Sequence, residues 1–229
     1  MFFDFRLLLF ISPALILAFI ASLMVKAAYA QARNLPPRLT GYATARNILD
    51  RAGLYDVEIE QVPGEMSDHY DPRDKVVRLS PDVYHGHSLA AVGIAAHEVG
   101  HAIQDAQQYG PLVIRNAAVS TAGFGGNIGM LLVMLGLAFA LTPLAWAGVA
   151  LFACVVFFQL VNLPVEFDAS ARAKVQLVEM GICSDEEMYY VRKVLNAAAL
   201  TYVAATLQAI LTLLYYVLRV MALSQRDER

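Results

Sequence analysis

The run LLVMLGLAFALTPLAWAGVALFACVVFFQL, residues 131–160, decides the fold class. It is the middle of a longer stretch, bounded by Arg115 and Glu166, with no charged side chain between them. A bilayer core takes about 20 mostly apolar residues per crossing helix. Two such lengths fit here, about 118–141 and 144–163, with Thr142-Pro143 as the break between them. The competing reading is the core of a large soluble protein, and a chain of 229 residues has no room for one. The stretch therefore reads as a membrane hairpin with a very short turn.

Two further apolar runs flank it, at about 7–25 and 197–220, so the chain reads as four membrane spans. Ala28-Tyr29-Ala30 resembles a signal-peptidase site, but the apolar run before it exceeds the usual signal core and Lys26 lies close to the cut. A retained anchor is expected. With 58% hydrophobic residues and a formal charge of -3, the partner indicated is the lipid bilayer; no nucleic-acid partner is indicated. Cys154 and Cys183 fall in a span and in a polar region, where they should not meet as a disulfide, compatible with a reducing compartment.

Four spans put residues 31–116 and 164–196 on one side. That side carries Lys26, Arg33, Arg38, Arg115, Arg172, Lys174, Arg192 and Lys193 near span ends, against Arg6, Arg219, Arg226 and Arg229 on the other. The bias predicts that the polar regions of this multi-pass protein are cytoplasmic. The domains expected are an anchor (1–30), a polar region with a metal helix (31–116), the hairpin (117–163), a second polar region (164–196) and a last span with a short tail (197–229).

Within the first polar region stands His97-Glu98-Val99-Gly100-His101. On a helix, positions i and i+4 share a face one turn apart, so both imidazoles can point at one ion. This is the H-E-x-x-H arrangement of zinc hydrolases, with the Glu placed as general base. The Ala-rich surroundings, 88–107, read as a helix. Ahead of it, Thr40 and Gly53 bound a short helix. Alternation at 57–62, then 67–70 and 75–79, reads as a small antiparallel sheet separated by Pro63-Gly64 and Asp71–Asp74 turns. An edge strand beside the metal helix can hold an extended peptide by main-chain hydrogen bonds. Ser184 and Glu187 form a capping box opening the last helix. Gly125 and Gly129 are spaced for close helix contact, within the chain or between copies.

A catalytic zinc usually has three protein ligands. His69, His85 and His87 all precede the helix, and no His follows it. After the third span comes Pro164-Val165-Glu166-Phe167-Asp168, where Pro164 suits a helix start. Glu166 is the chosen third ligand. The alternative, that Glu166 and Asp168 are acids drawn to a helix amino terminus by its dipole, stays open on the residues alone.

Four segments carry a resemblance: Ser67-Asp68-His69-Tyr70-Asp71-Pro72-Arg73; Lys75-Val76-Val77-Arg78-Leu79-Ser80; Ala95-Ala96-His97-Glu98-Val99-Gly100-His101-Ala102-Ile103-Gln104; and Leu163-Pro164-Val165-Glu166-Phe167-Asp168-Ala169-Ser170. Together they resemble the YugP-type family of bacterial membrane zinc metallopeptidases over nearly the whole chain. The resemblance implies a zinc endopeptidase of the gluzincin kind, with His97, His101 and Glu166 on zinc. It departs at Ser170, where broader membrane gluzincins carry an Asp supporting a metal His; Asp168 or Asp105 is the substitute considered. His69, Tyr70 and Arg172 are candidates to stabilise the oxyanion.

The expected fold is a mainly α integral membrane protein, with about four transmembrane helices and a small zincin-like α+β domain. The expected function is peptide-bond hydrolysis of protein or peptide substrates at or near the membrane surface, with Glu98 as base. The alternatives are an intramembrane protease of the site-2 kind and a non-catalytic scaffold with a vestigial metal site. Substrate and oligomeric state are not legible.

Overall fold

The computed structural model describes residues 4–227. Its elements in chain order are α1 (Phe5–Arg33), α2 (Gly41–Arg51), β1 (Glu58–Gln61), β2 (His69–Asp71), β3 (Val76–Leu79), α3 (Pro81–Tyr84), α4 (Leu89–Ala106), α5 (Gly110–Ala138), α6 (Thr142–Glu179) and α7 (Asp185–Asp227). Among the described residues, α1, α5, α6 and α7 are long and apolar enough to cross a membrane, and α4 is not one of them. The protein is a mainly α, multi-pass membrane protein with a small sheet. The ends of the anticipated 1–30 and 197–229 stretches, including Arg229 of the charge comparison, lie outside the described residues.

The spanning helices overrun their apolar cores. The hairpin breaks at Phe139–Leu141, with Ala140 at φ 53, and α6 then starts at Thr142 with Pro143 in its first turn. Pro164 does not open a new helix; it sits inside α6. Proline removes one backbone donor, which ordered neighbours tolerate, so a reading that stopped at Pro164 underestimates the helix. Glu166 and Asp168 are therefore more than twenty residues from the amino terminus of α6, and dipole attraction, confined to the first turn, cannot explain them.

Two compact units emerge. The first takes the described residues up to Ile20, Val113–Leu163 and those from Thr201. Here α5 and α6 touch backbone to backbone: a Cβ on Gly125 would lie 2.5 Å from the Leu151 carbonyl oxygen, and one on Gly129 would lie 2.9 Å from Phe152 N. The glycine pair thus serves packing within the chain. Val133, Ala145, Val149 and Val220 close the interior, and the Tyr215 hydroxyl donates to Asp4. Phe19, Phe124 and Leu131 point outward, as suits lipid-facing helices.

The second unit comprises Ala21–Leu112 and Pro164–Leu200. Its core joins Ile48 and Leu49 of α2, Val77 and Leu79 of β3, Val92 and Val99 of α4, Leu177 of α6 and Met188 and Val191 of α7. Local signals start these helices. The Thr40 hydroxyl accepts from Ala43 N at 3.1 Å, and Gly53 follows α2 at φ 73. The Ser88 hydroxyl accepts from Ala91 N at 3.1 Å, opening α4. At α7 the Glu187 carboxylate accepts from Ser184 N and the Ser184 hydroxyl from Glu187 N.

The sheet is mixed rather than antiparallel. Its order is β1-β3-β2; β2 pairs antiparallel with β3, but β1 runs parallel to β3, with Glu58 opposite Val76 and Gln61 opposite Leu79. Period-two alternation carries no direction. The connection 62–68 is long enough to cross the width of one strand, about 5 Å per spacing, and β3 inserts between the first two strands. Arg78 on this central strand ties the sheet together, donating to Glu60, Asp71 and Asp74 at 3.1, 2.9 and 2.7 Å.

Candidate metal centre

Helix α4 puts His97 and His101 on one face, ring centroids 4.8 Å apart and nearly perpendicular. Helix α6 brings Glu166 opposite them. Glu166 Oε2 lies 3.3 Å from His97 Nε2 and 3.7 Å from His101 Nε2. Each of the three offers one donor atom within 4.8 Å of the others, the one such cluster among the described residues. His101 and Glu166 are buried, and His97 is half-buried. His69 instead lies on exposed β2 with Nδ1 2.8 Å from the Ser67 carbonyl oxygen, and His85 Nε2 is 3.0 Å from Gln61 Oε1.

Why α6 comes this close is answered by the glycine inside the motif. A Cβ on Gly100 would lie 2.6 Å from the carbonyl oxygen of Ala169, inside contact distance. Only a residue without a side chain lets the two helices meet at that point. Ala169 lies between Glu166 and Ser170, so the contact sets the position of both.

The far side of each imidazole is held. Gln104, fully buried, donates through Nε2 to the Val165 carbonyl and to Asp168 Oδ2, both at 2.8 Å. Those two acceptors fix which end of the amide is nitrogen. Its Oε1 must then accept from His101 Nδ1, at 3.0 Å. His101 thus carries its proton on Nδ1 and turns the Nε2 lone pair toward Glu166. His97 Nδ1 contacts the Ser170 hydroxyl at 3.1 Å. Ser170, the departure noted in the sequence, occupies the imidazole-supporting position itself. Asp168 acts at one remove, through Gln104, and is gripped by Arg172 Nε at 2.5 Å. Asp105, the other candidate, accepts from the Tyr70 hydroxyl at 2.9 Å and leaves the imidazole to Gln104.

The donor set suits a zinc ion. Glu166 Oε2 is buried and takes no hydrogen bond from any described group, a costly state for a carboxylate oxygen without a cation. Ligands bound tetrahedrally at about 2.0–2.1 Å sit roughly 3.3 Å apart, close to the 3.3 and 3.7 Å between Glu166 and the two imidazoles. Glu98, between the two histidines, is buried, and burial pushes its carboxyl up from its ordinary value. That direction favours a general base working nearer neutral pH.

Two of the three oxyanion candidates are engaged elsewhere. Tyr70 is bound to Asp105, and Arg172 holds Asp168 and donates to Gln107 Oε1 at 2.6 Å. Gln104 went unread in the sequence, and Ser170 reads there as a departure and not as a support. Gln104 lies one turn past His101, spacing that allows an imidazole contact, but its other partners are 61 and 64 residues away.

A family model described as "Putative neutral zinc metallopeptidase" matches residues 7–221. The "Putative membrane protease YugP" of Bacillus subtilis (strain 168) is 48% identical over 189 residues, covering 82% of this chain and 83% of that protein. No solved structure matches.

Proposed function

From the premise that the chain belongs to this zinc metallopeptidase family, we propose that it is a membrane-anchored endopeptidase in which His97, His101 and Glu166 hold zinc and Glu98 is the general base. The observation that carries the reading is the convergence of two imidazole nitrogens on one buried carboxylate oxygen with no other partner. When bound, zinc supplies Lewis-acid polarisation and a lowered pKa for water.

The chain's own groups do the rest. Gln104 and Ser170 hold the imidazoles so that both Nε2 atoms face the same point. Glu98 takes a proton from the water that adds to the peptide carbonyl carbon, and returns it to the departing amine. Strand β2 lies at the sheet edge, and its outer main-chain groups suit an extended peptide. The polar stretches 31–116 and 164–196 form the catalytic part, the remainder anchors it, and substrates are protein segments at or near the membrane surface. The charge bias puts the catalytic part on the cytoplasmic side of the inner membrane.

The intramembrane reading requires α4 to be a span and allows Asp168 to replace Glu166 as ligand. Helix α4 is outside the apolar set, and Asp168 is turned toward Gln104 and Arg172.

The test uses the full-length protein in detergent, assayed for zinc content and for cleavage of an unfolded protein. Glu98→Gln retains zinc and cuts about 10²–10⁴ times more slowly. A wild-type rate in that variant overturns the assignment of the base; zinc binding with no cleavage by the wild type favours the scaffold alternative.

A further inference from the structure

The compact unit that carries the candidate centre also holds a cavity of about 510 Å³, within the range of about 300–1,000 Å³ typical of ligand sites. Helix α4 contributes Ile94 to its lining. Ile94 precedes Glu98 by four residues, so the two share a helix face about 6 Å apart along the axis. The connection between β1 and β2 contributes Met66 and Asp68, and Asp68 is near enough to Glu98 for their charges to interact. Ile94 thus places one wall of the cavity a single helix turn from the proposed base.

Its opposite wall is α1. Val25 and Tyr29 line it, one turn apart on the anchor helix. They are held there because Ala28 and Ala32 of the same helix are buried in the core and Lys193 reaches Gln31 at 3.1 Å.

The charges around the cavity are largely satisfied among themselves. Asp68 accepts from Ser80 N at 2.7 Å and from the Ser80 hydroxyl at 3.0 Å, and Arg33 pairs with Asp82 at 3.6 Å. Exposed Lys26 and Glu65 stand at its edge with opposite signs, so the edge selects neither acid nor base. What remains for an occupant is apolar surface.

We propose that this cavity is a specificity pocket, receiving a large apolar side chain next to the bond to be cut, and that Val25 and Tyr29 of the membrane anchor set its size. The assignment rests on the peptidase reading above and adds a substrate class to it. The apolar core of α1 ends at about Val25, and residues 25–33 extend only about 12 Å along the axis beyond it. A segment lying along that face belongs to a membrane-anchored polypeptide close to where it leaves the lipid.

The test uses zinc-loaded full-length protein in liposomes with single-span peptides randomised over the juxtamembrane stretch, cut sites being read by mass spectrometry. Wild type enriches Leu, Met or Phe over Ala and Asp at one fixed position beside the cut. Val25→Trp lowers the Phe-to-Ala ratio of kcat/KM at that position by about tenfold or more, the scale of a filled apolar pocket. Tyr29→Ala moves selection the other way, toward Trp over Phe. Cleavage with no enrichment, or with ratios within twofold of wild type in both variants, overturns the pocket and leaves the peptidase reading standing. A wild type that cuts nothing overturns both.

Discussion

The amide of Gln104 locks the imidazole of His101: Oε1 stands 3.0 Å from Nδ1 while Nε2 is anchored to the Val165 carbonyl and Asp168. The amide thereby connects a residue on α4 to the turn of α6 that carries Glu166. Groups that orient a metal-binding His typically alter affinity 10–100-fold when removed. Gln104→Leu keeps the volume and removes the polar link. Chelator competition on the purified protein should show zinc held about 10–100-fold more weakly. An unchanged affinity would mean that the imidazole needs no such support.

A second prediction concerns Gly100. The Cβ of alanine would meet backbone, the Ala169 carbonyl, at 2.6 Å, and backbone cannot rotate out of the way. The helices must separate by a fraction of an ångström, moving Glu166 away from both histidines. Gly100→Ala should destabilise by about 1–3 kcal/mol, as overpacking does, and should lose zinc. Gly93→Ala on the same helix meets a side-chain methyl, Val191 Cγ1, at 3.1 Å and should be milder. Thermal unfolding and metal content of the two variants decide it. Equal behaviour would show that the close approach at Ala169 does not govern the site.

Local chemistry was legible in the sequence, and distant chemistry was not. The caps at Thr40 and Ser184 involve partners three residues away, so spacing alone revealed them. The paired histidines are one turn apart and equally plain. The choice of Glu166 drew on the resemblance and on its place just past a span. The parallel pairing of β1 with β3 escaped because alternation does not encode strand direction. Pro164 misled because a proline that suits a helix start also fits inside a helix that is long and packed. Asp105 sits four residues from His101 and reads as its partner, yet Tyr70, from a strand, takes it.

Ser170 gives a third prediction. Its hydroxyl is the group supporting His97 Nδ1, and a hydroxyl polarises an imidazole less than a carboxylate does. Ser170→Ala should weaken zinc binding by about tenfold or more. Ser170→Asp supplies a charged acceptor at the same point and should hold zinc at least as tightly as wild type. Both are read by chelator competition. If the alanine variant binds zinc as wild type does, the His97–Ser170 contact is incidental.

Removing the metal should cost stability as well as activity. Glu98 and Glu166 are both buried beside the paired imidazoles, and Glu166 Oε2 has no hydrogen-bond donor to offset its desolvation. A ligand that binds only the folded state stabilises it by RT ln(1 + [L]/Kd), about 4 kcal/mol at a thousandfold excess over Kd. Chelation should therefore lower the Tm of the detergent-solubilised protein, and added zinc should restore it. Glu166→Gln removes the charge but keeps the shape, so the variant should fold, fail to take up zinc and show a Tm indifferent to chelator. The same variant separates the ligand set from the base, because Glu98→Gln should keep the zinc-dependent rise in Tm. Were Glu166→Gln to bind zinc with wild-type affinity, the third ligand would have to be some other group, and the closeness of Glu166 to the two histidines would be a matter of packing.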